Sequence, residues 1–266
     1  RAALDAGGTA GLLAVFGTEA EELLLTGEAA RDRGNRRRLL RAWRRDARIE
    51  AEGGTATLLL GDDDWPFLIP LARQTDGQWI FDIEAGREAV LTRRIGANEL
   101  DAIAALRAYV EVQAEYRRTD WDGDGVMEFA AHIISEDGAR DGLFWPRGPG
   151  VPRSPVGAAV ARAAAEGFML DGELQPPEPF HGYVFHILTA QGAAAPGGAF
   201  DYVIGGNMVA GHAAIAYPAA YGETGVMTFM VGENGRIWER DFGEATLDEA
   251  GAVGVFDPGS GWMPVE

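Results

Sequence analysis

Between residues 9 and 48, apolar side chains recur at three-to-four spacing: Leu12, Leu13, Val15 and Phe16, then Leu23 and Leu24, then Leu39, Leu40 and Trp43. That spacing repeats one face of an α-helix, so two or three helices are expected first. The pattern then changes. The segments 55-TATLLLG-61, 66-PFLIPLAR-73 and 78-QWIFDI-83 are short apolar runs separated by Gly61-Asp62-Asp63 and Asp76-Gly77, which predicts strands joined by turns. Helices followed by an antiparallel meander make an α+β unit, expected to span residues 1–92.

A second unit is expected over 93–266, with the joint near residues 84 to 98. It opens on 98-NELDAIAALRAYVEVQAEYRR-118, where Asn98 is placed to cap a helix whose apolar stripe is Leu100, Ile103, Leu106 and Val110. The segment 154-SPVGAAVARAAAEG-167 predicts another helix, with Ser154 as cap, Pro155 in the first position and Gly167 ending it. The remainder reads as strands: 182-GYVFHILT-189, 211-GHAAIAY-217, 225-GVMTFMV-231 and 235-GRIWERD-241, with Asn234-Gly235 as the turn of a hairpin. Loops rich in Pro and Gly separate these elements at 146–155, 171–179 and 191–198.

Composition narrows the chemistry. The chain has 266 residues, enough for one large domain or two smaller ones with buried cores, and no apolar run approaches the 18 or so residues that cross a bilayer. All 23 basic residues are arginine. Without lysine there is no Schiff-base or P-loop chemistry, and without cysteine there is no disulfide, thiolate metal site or thiol nucleophile. A net charge of −18 disfavours nucleic acid as a partner. The chain starts at Arg1 rather than Met, so either a leader has been removed, as expected of an exported protein, or the sequence is truncated.

The loop 119-TDWDGDGVMEFA-130 carries the sharpest signal. Calcium takes six to eight hard oxygen ligands, and alternate residues of a glycine-bent loop can aim several at one point. Asp120, Asp122 and Asp124 stand at the first, third and fifth places, Gly125 at the sixth, the Val126 carbonyl at the seventh and Glu128 at the ninth. These are the expected calcium ligands, with Met127 as an apolar anchor behind the turn. The twelfth place, where a bidentate acid is expected, holds Ala131, so a further ligand must come from water or from Glu136, Asp137 or Asp141. Magnesium suits the loop less, because it takes fewer protein ligands in strict octahedral geometry. The competing reading is a solvated Asp-Gly turn.

Other constellations are weaker. His132, His181, His186 and His212 show no HExxH spacing, and the three serines lie in no GxSxG elbow. In 62-DDDWPF-67, Asp63 and Asp64 beside Trp65 match a sugar-site composition, but more simply form the turn before a strand. The run 31-RDRGNRRRLLRAWRRDAR-48 holds nine arginines against two aspartates. It is either a solvated helix face or a docking surface for an acidic partner or a second copy, with Arg37, Arg41 and Arg44 on one face.

Several motifs, taken in order, resemble one family: 64-DWPFLIPL-71, 86-GREAVLTRRIGANELDAIAALRAYVEVQAEY-116, 128-EFA-130, 141-DGLFWP-146, 182-GYVFHILTAQG-192, 200-FDYV-203 and 226-VMTFMVGENGRIWERDFG-243. It is the uncharacterised bacterial family called domain of unknown function 2950. The resemblance implies export in a Gram-negative bacterium and a periplasmic or extracellular location, and supplies no catalytic residues. The second half is also similar to pilin-like globular heads, in which a long helix, a DxDGDG loop and a meander follow one another. The first half looks like a nuclear-transport-factor-two cone, which implies helices on a small curved sheet around an apolar pocket. The expected function is a non-enzymatic, calcium-stabilised structural or binding protein, a subunit of a cell-envelope or surface assembly. The alternative is a carboxylate-dependent hydrolase acting on cell-wall sugars.

Overall fold

The computed structural model describes residues 9–25, 29–170 and 173–265. The fold is α+β, with helices accompanied by several antiparallel sheets. Contacts divide the chain into two compact units, Arg1–Arg93 and Arg94–Glu266.

The first unit opens with α1 (Thr9–Phe16), α2 (Glu21–Leu24) and α3 (Ala29–Arg45), followed by β1 (Ala47–Glu52), β2 (Thr55–Leu60), β3 (Trp65–Pro66), β4 (Leu71–Arg73) and β5 (Trp79–Phe81). The sheet runs β1-β2-β4-β5, and β3 also pairs with β2. Along β2 the alternate residues Ala56, Leu58 and Leu60 are buried, the period-two pattern of a half-covered strand. A core of Ala20, Ile69 and Ile83 collects the rings of Phe16, Phe67 and Phe81, with Phe16 and Phe81 centred 4.2 Å apart.

Two expectations are corrected here. The helical pattern does not reach Arg48, because Ala47–Glu52 is strand β1; Ala47, Ile49 and Ala51 alternate there with Arg48, Glu50 and Glu52, but every residue is exposed and none is anchored in a core. Its identity comes from register with β2, Ala47 opposite Leu60 through Glu52 opposite Thr55. The run 66–73 is not one strand but β3 and β4, since the missing N–H groups of Pro66 and Pro70 interrupt any continuous ladder.

Helix α4 spans Ile83–Tyr116, and the division between the units falls within it. Asn98 therefore caps nothing. Its side-chain amide donates to the Thr224 carbonyl at 2.8 Å, and next to it one Glu99 carboxylate oxygen accepts the Val226 and Met227 N–H groups, each at 3.0 Å. What reads locally as a cap is a tertiary fastening. Residues 84 to 98, expected as a joint, are helical.

The second unit continues through β6 (His132–Ile134), β7 (Gly142–Phe144), α5 (Ala158–Ala161), β8 (Phe168–Leu170), β9 (Glu173–Gln175), β10 (Tyr183–Leu188), β11 (Ala190–Gln191), β12 (Phe200–Asp201), β13 (Val203–Ile204), β14 (Asn207–Met208), β15 (Ala213–Pro218), β16 (Thr228–Gly232), β17 (Ile237–Arg240), α6 (Thr246–Gly251) and β18 (Met263–Pro264). Its main sheet is antiparallel, in the order β10-β15-β16-β17-β18. Strands β15 and β16 are buried at every residue, and Ala102, Ile103 and Leu106 of α4 join the same core as Phe185, Ala214, Phe229 and Val231. The helix expected over 154–167 shrinks to the four residues of α5. Ala163 and Ala165 instead exchange backbone hydrogen bonds with Phe185, so the edge of β10 takes over the backbone that a helix needs. Ser154 caps nothing and donates its hydroxyl to the Val156 carbonyl.

Gln113 is fully buried on α4, and both ends of its amide bond Ala130: Nε2 donates to the carbonyl and Oε1 accepts the N–H, each at 2.9 Å. Nε2 also donates to the Tyr109 hydroxyl, which itself donates to the Ala213 carbonyl. Replacing Gln113 with Leu leaves two buried backbone groups unpaired, at about 1–3 kcal/mol each. We expect Gln113→Leu to destabilise the second unit by about 2–4 kcal/mol in urea unfolding and to release the Ala130 amide to fast hydrogen exchange; a loss below about 1 kcal/mol with Ala130 still protected contradicts this account.

Candidate functional site

The acidic loop leaves the C-terminus of α4 and returns at Phe129. At its start the Tyr116 carbonyl accepts the Thr119 N–H and the Trp121 indole N–H, and Trp121 lies among Tyr116 and Trp145. At its end Phe129 is buried and its N–H donates to the Met208 carbonyl. The middle is held by the β13–β14 hairpin, turned at Gly205 and Gly206, both with positive φ. Asn207 donates its side-chain N–H to Asp124 Oδ2 at 2.5 Å, and the Met208 N–H donates to Glu128 Oε2 at 2.9 Å.

Between these anchors, ligand oxygens of Asp120, Asp122 and Asp124 all lie within 4.8 Å of one another. Oxygens bound to one calcium at 2.3–2.6 Å stand at most about 5 Å apart, so the three carboxylates fit one ion. Backbone N–H groups hold them inward. Asp120 accepts from Gly123 and Gly125, Asp122 from Asp124, and Asp124 from Val126. The Gly123 N–H, assisted by that of Gly125, holds the Asp120 carboxyl below its ordinary range. Glu128 moves the other way. Partial burial raises its pKa, the Met208 N–H opposes this, and the charges of Asp122, Asp124 and Asp141 push it further up.

Met127, expected as the apolar anchor, is half exposed; Phe129 two residues on is the buried one, with the Arg117 guanidinium 4.3 Å from its ring centre. At the twelfth place the Ala131 N–H donates to the Asp141 carbonyl, and the chain leaves as strand β6 rather than as a second helix. Of the extra ligands considered, Glu136 and Asp141 gather with His132 in a second group within 4.8 Å, where Asp141 Oδ1 accepts the Glu136 N–H; Asp137 is exposed. The Asn207, Met208 and Gln113 contacts lie 80 or more residues away in sequence or on a helix interior, and only the Gly205-Gly206 turn signals them in advance.

The arginine-rich segment is helix α3, on which Arg37, Arg41 and Arg44 are exposed. Part of its charge is answered locally: Arg48, just past the helix, pairs with Asp64 at 2.6 Å and Arg45 with Asp62 at 3.7 Å. Asp62 and Asp64 thus sit in a turn beside arginines. A cavity of about 430 Å³ in this unit is lined by Phe16, Leu39, Trp65 and Phe67, with Asp32 the one carboxylate among the described lining residues.

The site thus defines an α+β protein with a braced, carboxylate-lined loop at the end of a long helix. The family model described as "Protein of unknown function (DUF2950)" matches residues 1–265, and the chain belongs to that family. No curated protein and no solved structure matches it. Among the described residues, no helix is long and apolar enough to cross a membrane.

His212, buried between the rings of Phe129 and Tyr109, has its pKa lowered to about 4 by burial and then by Arg117. The fold therefore holds the neutral imidazole. The unfolded chain binds this proton near pH 6.5 and the folded chain does so only near pH 4, so the contribution is complete above 6.5 and is lost as pH falls to about 4. A shift of this size is worth roughly 3 kcal/mol. We expect the urea midpoint of His212→Gln to respond less than wild type to pH between 7 and 4, and equal slopes count against it.

Proposed function

We propose that the chain is an exported, non-enzymatic structural or binding protein whose second unit is stabilised by calcium at Asp120, Asp122, Asp124, Glu128 and the Val126 carbonyl. The observation that carries this reading is the convergence of three carboxylates on a loop braced at both ends and from the side. Their partial exposure suits a site filled at the 10⁻⁴–10⁻³ M calcium that extracellular modules bind. The ordered helix, loop and meander also support the likeness to pilin-like heads. A glycoside hydrolase of the usual type needs two carboxylates flanking its bond, whereas among the described residues the cavities of about 430 and 410 Å³ have one lining acid each, Asp32 and Asp101.

Calcium added to chelator-stripped protein should raise Tm, because a ligand that binds only the folded state adds RT ln(1 + [L]/Kd) of stability. Asp122→Ala should abolish the rise. The affinity should weaken on acidification as Glu128, with its raised pKa, takes up a proton in competition with the ion. A Tm indifferent to millimolar calcium in wild type leaves the loop a solvated turn.

The exposed face of Arg37, Arg41 and Arg44 is the proposed docking surface for an acidic partner or for the acidic surface of a second copy. Screening shortens the Debye length from about 10 Å at 0.1 M salt to about 3 Å at 1 M. Association measured by light scattering should therefore weaken with salt and with the triple charge reversal to Glu. A monomer at both salt levels, or an oligomer unaffected by either change, rejects a self-association role.

A further inference from the structure

A second cavity, of about 410 Å³, opens wholly within the second unit, between one face of α4 and the residues around β10. Ala104 and Ala108 on its α4 wall are exposed, so the space is an open cleft in the surface, and its shape has a cause. The cause is visible along α4. Asn98 and Glu99 fasten the helix to residues 224–227, and Tyr109 and Gln113 fasten it to Ala213 and Ala130. Between these ties the helix lines the gap with Asp101, Leu106 and three alanines, Ala104, Ala105 and Ala108, and the alanines are too short to reach across towards Ile133, Val160 and Phe185. The cleft is built by side-chain choice on a helix held at both ends of the segment.

Its lining is apolar except at Asp101, Tyr109 and His181. The Tyr109 hydroxyl is already donated to Ala213. His181 and Gly182 have positive φ and turn a two-residue hairpin closed by Phe180 and Tyr183, which holds the imidazole against Asp101, with Nδ1 2.7 Å from Oδ2. An ionised carboxylate only accepts, so Nδ1 carries the shared proton, and a neutral ring leaves Nε2 as an acceptor beside the free oxygen of Asp101. The mouth therefore offers two acceptors and a negative charge, on a chain whose net charge is −18.

We propose that this cleft binds a small apolar molecule ending in a cationic hydrogen-bond donor, of the long-chain alkylamine class. Volume argues against a docked helix: one turn with its side chains, 10–12 Å across and 5.4 Å long, already fills about 400–600 Å³. The neighbouring Arg162, which would favour a carboxylate head instead, is paired with Glu178 at 3.1 Å. The apolar floor supplies the affinity and Asp101 the choice of head.

The test is calorimetric titration of the full chain with decylamine, decanol and decanoate at pH 8, each below its micelle concentration. Decylamine should bind tightest and decanoate weakest. Ala108 is exposed on α4, so Ala108→Phe can fill the cleft without entering the core, and it should abolish binding at an unchanged or raised Tm; Ala104→Leu is the milder second filling variant. Asp101→Asn should weaken decylamine at least tenfold and decanol much less. Binding of decanoate as tight as that of decylamine overturns the assignment of the head. Failure of all three probes to bind, or decylamine binding undiminished in both filling variants, overturns the site itself.

Discussion

The second unit depends on one buried amide. Among the described residues, Gln113 is the only one of α4 whose side chain bonds both backbone groups of a distant residue, Ala130, and it is fully buried where it does so. A side-chain amide in this place acts as one rung of a β-ladder, satisfying a strand-like segment that has no neighbouring strand there. The consequence is geometric. The chain between Tyr116 and Ala130 must leave the helix end and come back to a point one turn earlier on it, and the acidic loop is the excursion between. Three carboxylates are thereby confined to a small volume, and the N–H groups of Gly123, Gly125, Asp124 and Val126 offset part of their repulsion.

The same economy of local pairing governs the charges elsewhere. A chain of net charge −18 brings its arginines and its aspartates together where the sequence already concentrates them: the turn at Asp62–Asp64 meets Arg45 and Arg48 at the end of α3. These pairs are exposed and worth little each, about 1 kcal/mol or less, so they orient the turn more than they stabilise it. Arg37 and Arg41, earlier on α3, are exposed.

Much of this was legible in the sequence where a residue's environment is set by near neighbours. The alternation of β2, the Asn234-Gly235 hairpin between β16 and β17, and the convergence of Asp120, Asp122 and Asp124 follow from spacing alone. The failures have a common physical cause, which is a local group recruited by a remote one. Asn98 has the chemistry of a cap and spends it on Thr224; the alanines after α5 have helical propensity and give their backbone to Phe185; Met127 has an anchor's place in the loop, but Phe129 reaches the core. β1 was missed for a different reason: its alternation of Ala47, Ile49 and Ala51 with Arg48, Glu50 and Glu52 is short, fully exposed and follows directly on the three-to-four spacing of α3.

Along α4 these recruited groups come in an order that has its own logic. The helix is tied through Asn98 and Glu99, then through Tyr109 and Gln113, and its apolar contacts at Ala102, Ile103 and Leu106 lie between those ties on a face turned to the sheet. Polar ties fix the axis of a helix regardless of what lies beside it, whereas apolar packing would draw it in until the gap closed. With the axis fixed, the size of the residues on the adjoining face becomes free to vary without moving the helix. Alanine at 104, 105 and 108 then leaves a cleft rather than a collapsed core, and the loop that begins seven residues after Tyr109 inherits a rigid origin from the same ties.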